Sequence, residues 1–209
     1  MGGQKKQNNF VLQAGILAAA GMIVKVISLI YRSPLLSIIG LEGNGYYSEA
    51  FNIYTIILLI SSYSIPSAIS KVIAQKMAFK EYGNAQRVFR CALLYVLIVG
   101  GAAAVITFAA APWLVGENSV VALRVLAPTI FFSGFLGVFR GYFQAHGSMM
   151  HTSLSQILEQ ILNAVVSILA AYLLMKTVQG GSQTTRAIVG SAGSALSTGA
   201  GVVMALLFM

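Results

Sequence analysis

Apolar runs long enough to cross a lipid bilayer follow one another along almost the whole 209-residue chain. A spanning helix needs about 20 predominantly apolar residues. Six such runs are read, over residues 10–39, 46–70, 91–113, 119–144, 152–175 and 187–209. No alternating strand pattern interrupts them, and hydrocarbon admits only helices and closed barrels, because every backbone N–H and C=O must be satisfied within the protein. The expected fold is therefore all-α and polytopic, with six transmembrane helices. The charged fraction, 9%, and the mean hydropathy, +0.82, exclude an ordinary soluble domain, a disordered chain and a coiled coil.

The first run is about 45 Å long at 1.5 Å per residue. It must tilt, kink or overhang the bilayer, and Ser33-Pro34 is the expected kink. Lys5, Lys6 and the Ala18-Ala19-Ala20 stretch imitate a signal peptide, but the apolar run continues far past a normal h-region, so an uncleaved first span is expected. The chain ends at Met209 within an apolar run, which reads as a fragment of a longer protein. Basic residues outside the spans are unevenly placed. Lys5, Lys6, Lys71, Lys76, Lys80, Arg87 and Arg90 fall on one side, and Lys176 and Arg186 on the other. The excess places the N-terminus and the 71–90 loop in the cytoplasm.

Ionisable residues within spans are costly and read as functional candidates. Lys25 and Arg32 are seven residues apart, hence on one face of the first helix, with Ser28 between them. Two cations on one face suit an anionic partner such as a phosphate; snorkelling to a headgroup is the alternative. The fifth run carries Gln156, Glu159, Gln160 and Asn163 at i, i+3, i+4 and i+7, a polar stripe on an apolar helix. It lines a water-filled cavity, takes part in ion coupling, or bonds neighbouring helices. Glu49 and Asn52 share a face of the second helix and are further candidates for cavity lining or ion coupling, amid tyrosines that suit an interfacial belt. Arg124 and Arg140 sit near opposite ends of the fourth helix, and headgroup contact is the plain reading of both. Gly137 and Gly141 form a G-x-x-x-G pair, and Ser191, Ala195 and Gly199 form a small-residue face, both suited to close helix packing.

No nucleotide, nucleophile or paired-carboxylate motif is present. One cysteine, Cys91, and the pair His146 and His151 assemble no metal site, so neither an enzyme nor a cofactor is expected. The basic residues are divided between a loop and lipid-buried helices, which argues against nucleic-acid binding.

The segments Lys25–Leu35, Gly45-Tyr46-Tyr47, Ile65–Lys71, Arg140–Gln144 and Ser155–Gln160, in that order, resemble the N-terminal half of MOP-superfamily flippases. The branch is that of polysaccharide-biosynthesis, stage V sporulation protein B and MurJ-like proteins. The resemblance implies one six-helix lobe of a two-lobed transporter in the bacterial cytoplasmic membrane. Such a transporter moves undecaprenyl-linked oligosaccharide or peptidoglycan precursor between leaflets by alternating access. It implies that Lys25 and Arg32 hold the lipid's pyrophosphate, that membrane lipids surround the lobe, and that a C-terminal lobe completes it. A MATE-type organic-cation antiporter is the alternative, as is a non-transporting membrane scaffold. The cationic first helix and the absence of Asp favour an anionic substrate.

Overall fold

A computed structural model describes the backbone of residues 2–62, 64–178 and 180–209, with side chains from residue 14 onward, so Lys5 and Lys6 lie outside the described side chains. The described elements are helical throughout: α1 (Gly2–Ser61), α2 (Ile65–Ala78), α3 (Tyr82–Tyr95), a π-turn (Val96–Gly100), α4 (Gly101–Leu114), a 3₁₀ turn (Glu117–Ser119), α5 (Val120–Ala145), α6 (Met149–Thr177) and α7 (Gln183–Phe208). Five continuous stretches are long and apolar enough to cross a membrane, the first running over Ala14–Ala78.

The first two expected spans are parts of that one stretch, and the expected kink is elsewhere. The helix passes through Pro34 and breaks at Gly40, whose backbone (φ 72, ψ 175) is open to glycine and strained for any other residue. No loop over 40–45 separates the two arms. Before Gly40, Tyr31 meets Gln160, and Leu35 and Ile39 pack with Ala171, so this arm follows the course of α6. After Gly40, Glu49 meets the 116–119 turn, Tyr54 meets Ser133 and Pro66 meets Gly141, so the second arm follows α5. Since α5 and α6 are joined by a three-residue turn and run oppositely, the chain turns back at Gly40. A proline can be carried in a membrane helix when neighbours re-satisfy the freed carbonyl. One turn on, the Ser37 hydroxyl donates to the Pro34 carbonyl at 2.7 Å.

The expected second span breaks near its end as well. Helix stops at Ser61 and restarts at Ile65, with Pro66 in the first turn of α2, where its missing N–H is no loss. The basic 71–90 segment, expected as a loop, is largely helix. α2 and α3 close around a tight turn in which Lys80 takes a left-handed φ of 61. Lys76 and Asn84 both donate to Glu81 there, at 2.8 and 2.9 Å, and hold its carboxyl below the ordinary value.

Packing proceeds through close backbone approach. Large apolar side chains such as Leu29, Ile60, Trp113 and Leu207 point outward, as suits a lipid-facing surface. Leu123, Leu126, Ile130 and Ile73 are fully buried, but the closest helix approaches are made at glycines. A Cβ on Gly201 would lie 2.7 Å from the Glu159 carbonyl, and one on Gly193 would lie 3.1 Å from Ala171 N. These glycines bring α7 onto α6, the most extensive helix pair. Ser191 and Ala195 are buried, and Gly199 abuts Thr129 of α5. The π-turn sets Val96 against Gly134, where a Cβ would come within 2.7 Å of the valine. The Gly137/Gly141 pair receives Pro66, as its spacing suits.

The two glycines of that pair are not equivalent. A Cβ at 141 meets Pro66 backbone at 2.7 Å, whereas one at 137 meets only the Pro66 ring at 3.4 Å. Gly141→Ala is expected to destabilise the protein by about 1–3 kcal/mol through overpacking, with Gly137→Ala close to neutral. Thermal unfolding in detergent micelles checks the difference; equal midpoints for the two variants would refute the α2–α5 contact.

Candidate functional site

The polar stripe of α6 is half-buried and turned toward other helices of the same bundle. Glu159 accepts from Arg140 Nη2 at 2.7 Å, and Arg140 Nε donates to Ser155 Oγ at 3.0 Å. The Ser155 hydroxyl in turn donates to the Thr152 carbonyl at 2.7 Å. Arg140, expected at a headgroup, is thus drawn inward. Its side chain is 16% exposed and that of Glu159 is 29% exposed. Four turns of sequence separate the two along the hairpin, and only the tight α5–α6 turn brings them together. A part-desolvated, hydrogen-bonded ion pair of this kind is far stronger than one at an aqueous surface, because little water screens it.

Further along the stripe, the Ser197 hydroxyl lies 2.6 Å from Asn163 Oδ1 and 2.6 Å from the Ser194 carbonyl, tying α7 to α6. Gln160 faces Tyr31 of the first arm. Tyr47 shares a hydrogen bond with Thr198 at 3.3 Å, and Tyr54 shares one with Ser133 at 3.3 Å. Glu159 lies within electrostatic reach of Tyr54. The result is a ladder of polar contacts through the helical bundle, joining both arms of α1 to α5, α6 and α7. Tyr47 and Tyr54 are members that the sequence reading assigned to an interfacial belt. Their spacing of seven, which places them on one face, was the available signal. The partners Ser133, Ser197 and Thr198 carried none, since hydroxyls in membrane helices commonly bond their own preceding turn.

Glu49 and Asn52 part company. The Glu49 carboxylate accepts from Gly116 N at 3.0 Å and from the Ser119 hydroxyl at 2.5 Å. Beside it, Asn118 Nδ2 donates to the Tyr46 hydroxyl at 3.1 Å. Glu49 therefore holds the α4–α5 turn against the start of the second arm. Asn52 is exposed. Arg124 lies over the Phe108 ring at 5.5 Å, an α4–α5 cation–π contact.

Lys25 and Arg32 have a different setting. Both are exposed, and neither enters an ion pair among the described residues. Their separation along one side of the helix is about 10 Å. Arg32 flanks the ladder, next to Tyr31 and close to Tyr47. Unpaired cations at membrane depth need water or an anion, so this side of the first arm suits an aqueous, anion-accepting surface. Among the described residues no three His, Cys or carboxylate side chains converge as a metal site would require.

Five spanning stretches packed through glycine notches and one polar ladder define a multi-pass, all-helical membrane protein. Its architecture matches that of a MOP superfamily transporter from Pyrococcus furiosus Vc1 (DSM3638), with a TM-score of 0.75 over 94% of this chain and 43% of that one, at 20% identity. A family model described as "Polysaccharide biosynthesis protein" matches residues 11–206, and the chain belongs to that family. Two relatives come from Bacillus subtilis (strain 168). The lipid II flippase MurJ is 24% identical over 179 residues, covering 79% of this chain and 33% of that protein. Stage V sporulation protein B is 27% identical over 203 residues, covering 93% and 37%. The chain thus spans about a third of the length of the curated relatives it matches.

The Arg140–Glu159 pair is open to a direct test. Glu159→Gln leaves the guanidinium part-buried without its counter-charge, so a loss of about 1–3 kcal/mol is expected, discounted for the remaining exposure. Arg140→Gln/Glu159→Gln removes both charges and is expected to recover part of that loss. A double-mutant cycle by thermal unfolding measures the coupling; strictly additive losses would show that the two side chains do not interact.

Proposed function

We propose that this chain forms one lobe of a flippase that carries a lipid-linked, pyrophosphate-bearing saccharide across the cytoplasmic membrane by alternating access. The observation that carries the reading is the exposed, unpaired pair Lys25 and Arg32 at membrane depth on one side of the first arm. Oxygens of a pyrophosphate would accept charge-assisted hydrogen bonds from both. An organic-cation substrate would meet repulsion at the same surface. The family and the named activity of one relative, a lipid II flippase, support the substrate class. A second lobe would face this surface and enclose the cavity.

In this reading the N-terminus and the α2–α3 hairpin face the cytoplasm, consistent with their basic residues. Transport proceeds by rocking one lobe against the other around a site near the bilayer midplane. Such motion requires each lobe to move as a body. The ladder through Arg140, Glu159, Asn163, Tyr47 and Tyr54 supplies that rigidity. Glu159, Gln156 and Gln160 are only half-buried and are the candidates for cavity lining and ion coupling.

The test is leaflet translocation of a fluorescent undecaprenyl-pyrophosphate saccharide in liposomes containing the full-length protein. Lys25→Ala and Arg32→Ala are each expected to slow flipping by about 10- to 100-fold, the effect of losing one charge-assisted contact of about 1.5–3 kcal/mol. Flipping that survives both substitutions would overturn the assignment of these residues. Organic-cation efflux in place of flipping would overturn the substrate class.

A further inference from the structure

The break at Gly40 opens a pocket of about 440 Å³ that the transport reading leaves unused. It lies where three elements end or begin: the close of the first arm, the last turn of α6 and the first turn of α7. Ile38, Ile39 and Met175 supply apolar wall, and Glu42, Gln183 and Arg186 supply polar lining. The volume is in the range of small-ligand sites.

The charges of this pocket are arranged unusually. Glu42 and Arg186 line the same space, yet they form no ion pair with each other or with any other described side chain, and both are exposed. Two opposite charges that share a pocket and leave a gap between them match a ligand that itself carries both signs. The position supplies the rest of the chemistry. Ends of spanning helices lie at the level of lipid headgroups. An arginine there binds phosphate oxygens, with Gln183 as a second donor. A glutamate beside it repels a net-anionic headgroup and attracts an ammonium. Ile38, Ile39 and Met175 offer an apolar wall along which an acyl chain would lie.

We infer that the pocket at Gly40 is a binding site for a zwitterionic phospholipid headgroup, with Arg186 on the phosphate and Glu42 on the ammonium. Lipid held there bridges the two arms of α1 to α6 and α7 at the point where the chain reverses. The site is separate from the Lys25 and Arg32 surface and stands whether or not that surface binds pyrophosphate.

The experiment uses the full-length protein in detergent, titrated with phosphatidylethanolamine or phosphatidylglycerol and read by native mass spectrometry. Wild type is expected to hold phosphatidylethanolamine about two- to fivefold more tightly than phosphatidylglycerol, the range for one partly exposed charge pair. Glu42→Gln is expected to abolish that preference while keeping phosphatidylglycerol bound. Arg186→Gln is expected to weaken both lipids. Glu117→Gln, a charge removed outside the pocket, is the control and leaves the preference intact. Both pocket residues are exposed, so the variants fold, and size-exclusion profiles verify it. Equal affinity of wild type for the two lipids, or a preference unchanged in Glu42→Gln, would overturn the assignment.

Discussion

Hydrocarbon offers no reward for burying one apolar helix against another, because lipid tails are as apolar as leucine. Much of what holds this bundle together follows from that constraint. Helices must instead approach closely enough for dense backbone contact, or exchange hydrogen bonds that lipid cannot supply. The chain does both. Gly193 and Gly201 set α7 onto the backbone of α6, Gly141 seats Pro66, and Gly134 seats Val96. Between these notches, Tyr47, Tyr54, Asn163, Glu159 and Arg140 are bonded across helices. Many large apolar side chains face the lipid, while Leu123, Leu126, Ile130 and Ile73 fill the space between the helices.

The same constraint divides the charged residues into two kinds. Arg140 and Glu159 satisfy each other within the bundle, and Arg124 rests on Phe108. These are internal ties. Lys25 and Arg32 have no such partner among the described residues. The proposed anion site therefore rests on what the bundle leaves unpaired rather than on what it pairs. A rigid bundle with an unsatisfied cationic side is what the proposed rocking mechanism requires of this chain.

Much of this was legible beforehand. Span length and the absence of alternation dictate helices, because the bilayer removes every other option. The G-x-x-x-G pair foretold a close contact, and the ordered segments pointed to the family. What escaped was mostly pairing. Pro34 looked like the kink, yet the helix runs on through it, and the bend falls to Gly40, where φ is positive. The basic 71–90 segment read as a loop because its charges mask short helices that pack on α5 and on each other. Glu49 read as a cavity or belt residue, but its partners, Gly116 and Ser119, are some 70 residues away.

By itself the sequence determined the solvent, the helical class and the inventory of intramembrane charges, for these depend on local composition and on the thickness of a bilayer. Only the tertiary structure decided which of those charges are spent on one another. Arg140 and Lys25 look alike in the sequence, each a cation in an apolar run. One meets Glu159 across a hairpin turn and the other pairs with no carboxylate among the described residues, because partnership depends on which helices are neighbours and at what depth, and no local pattern encodes that.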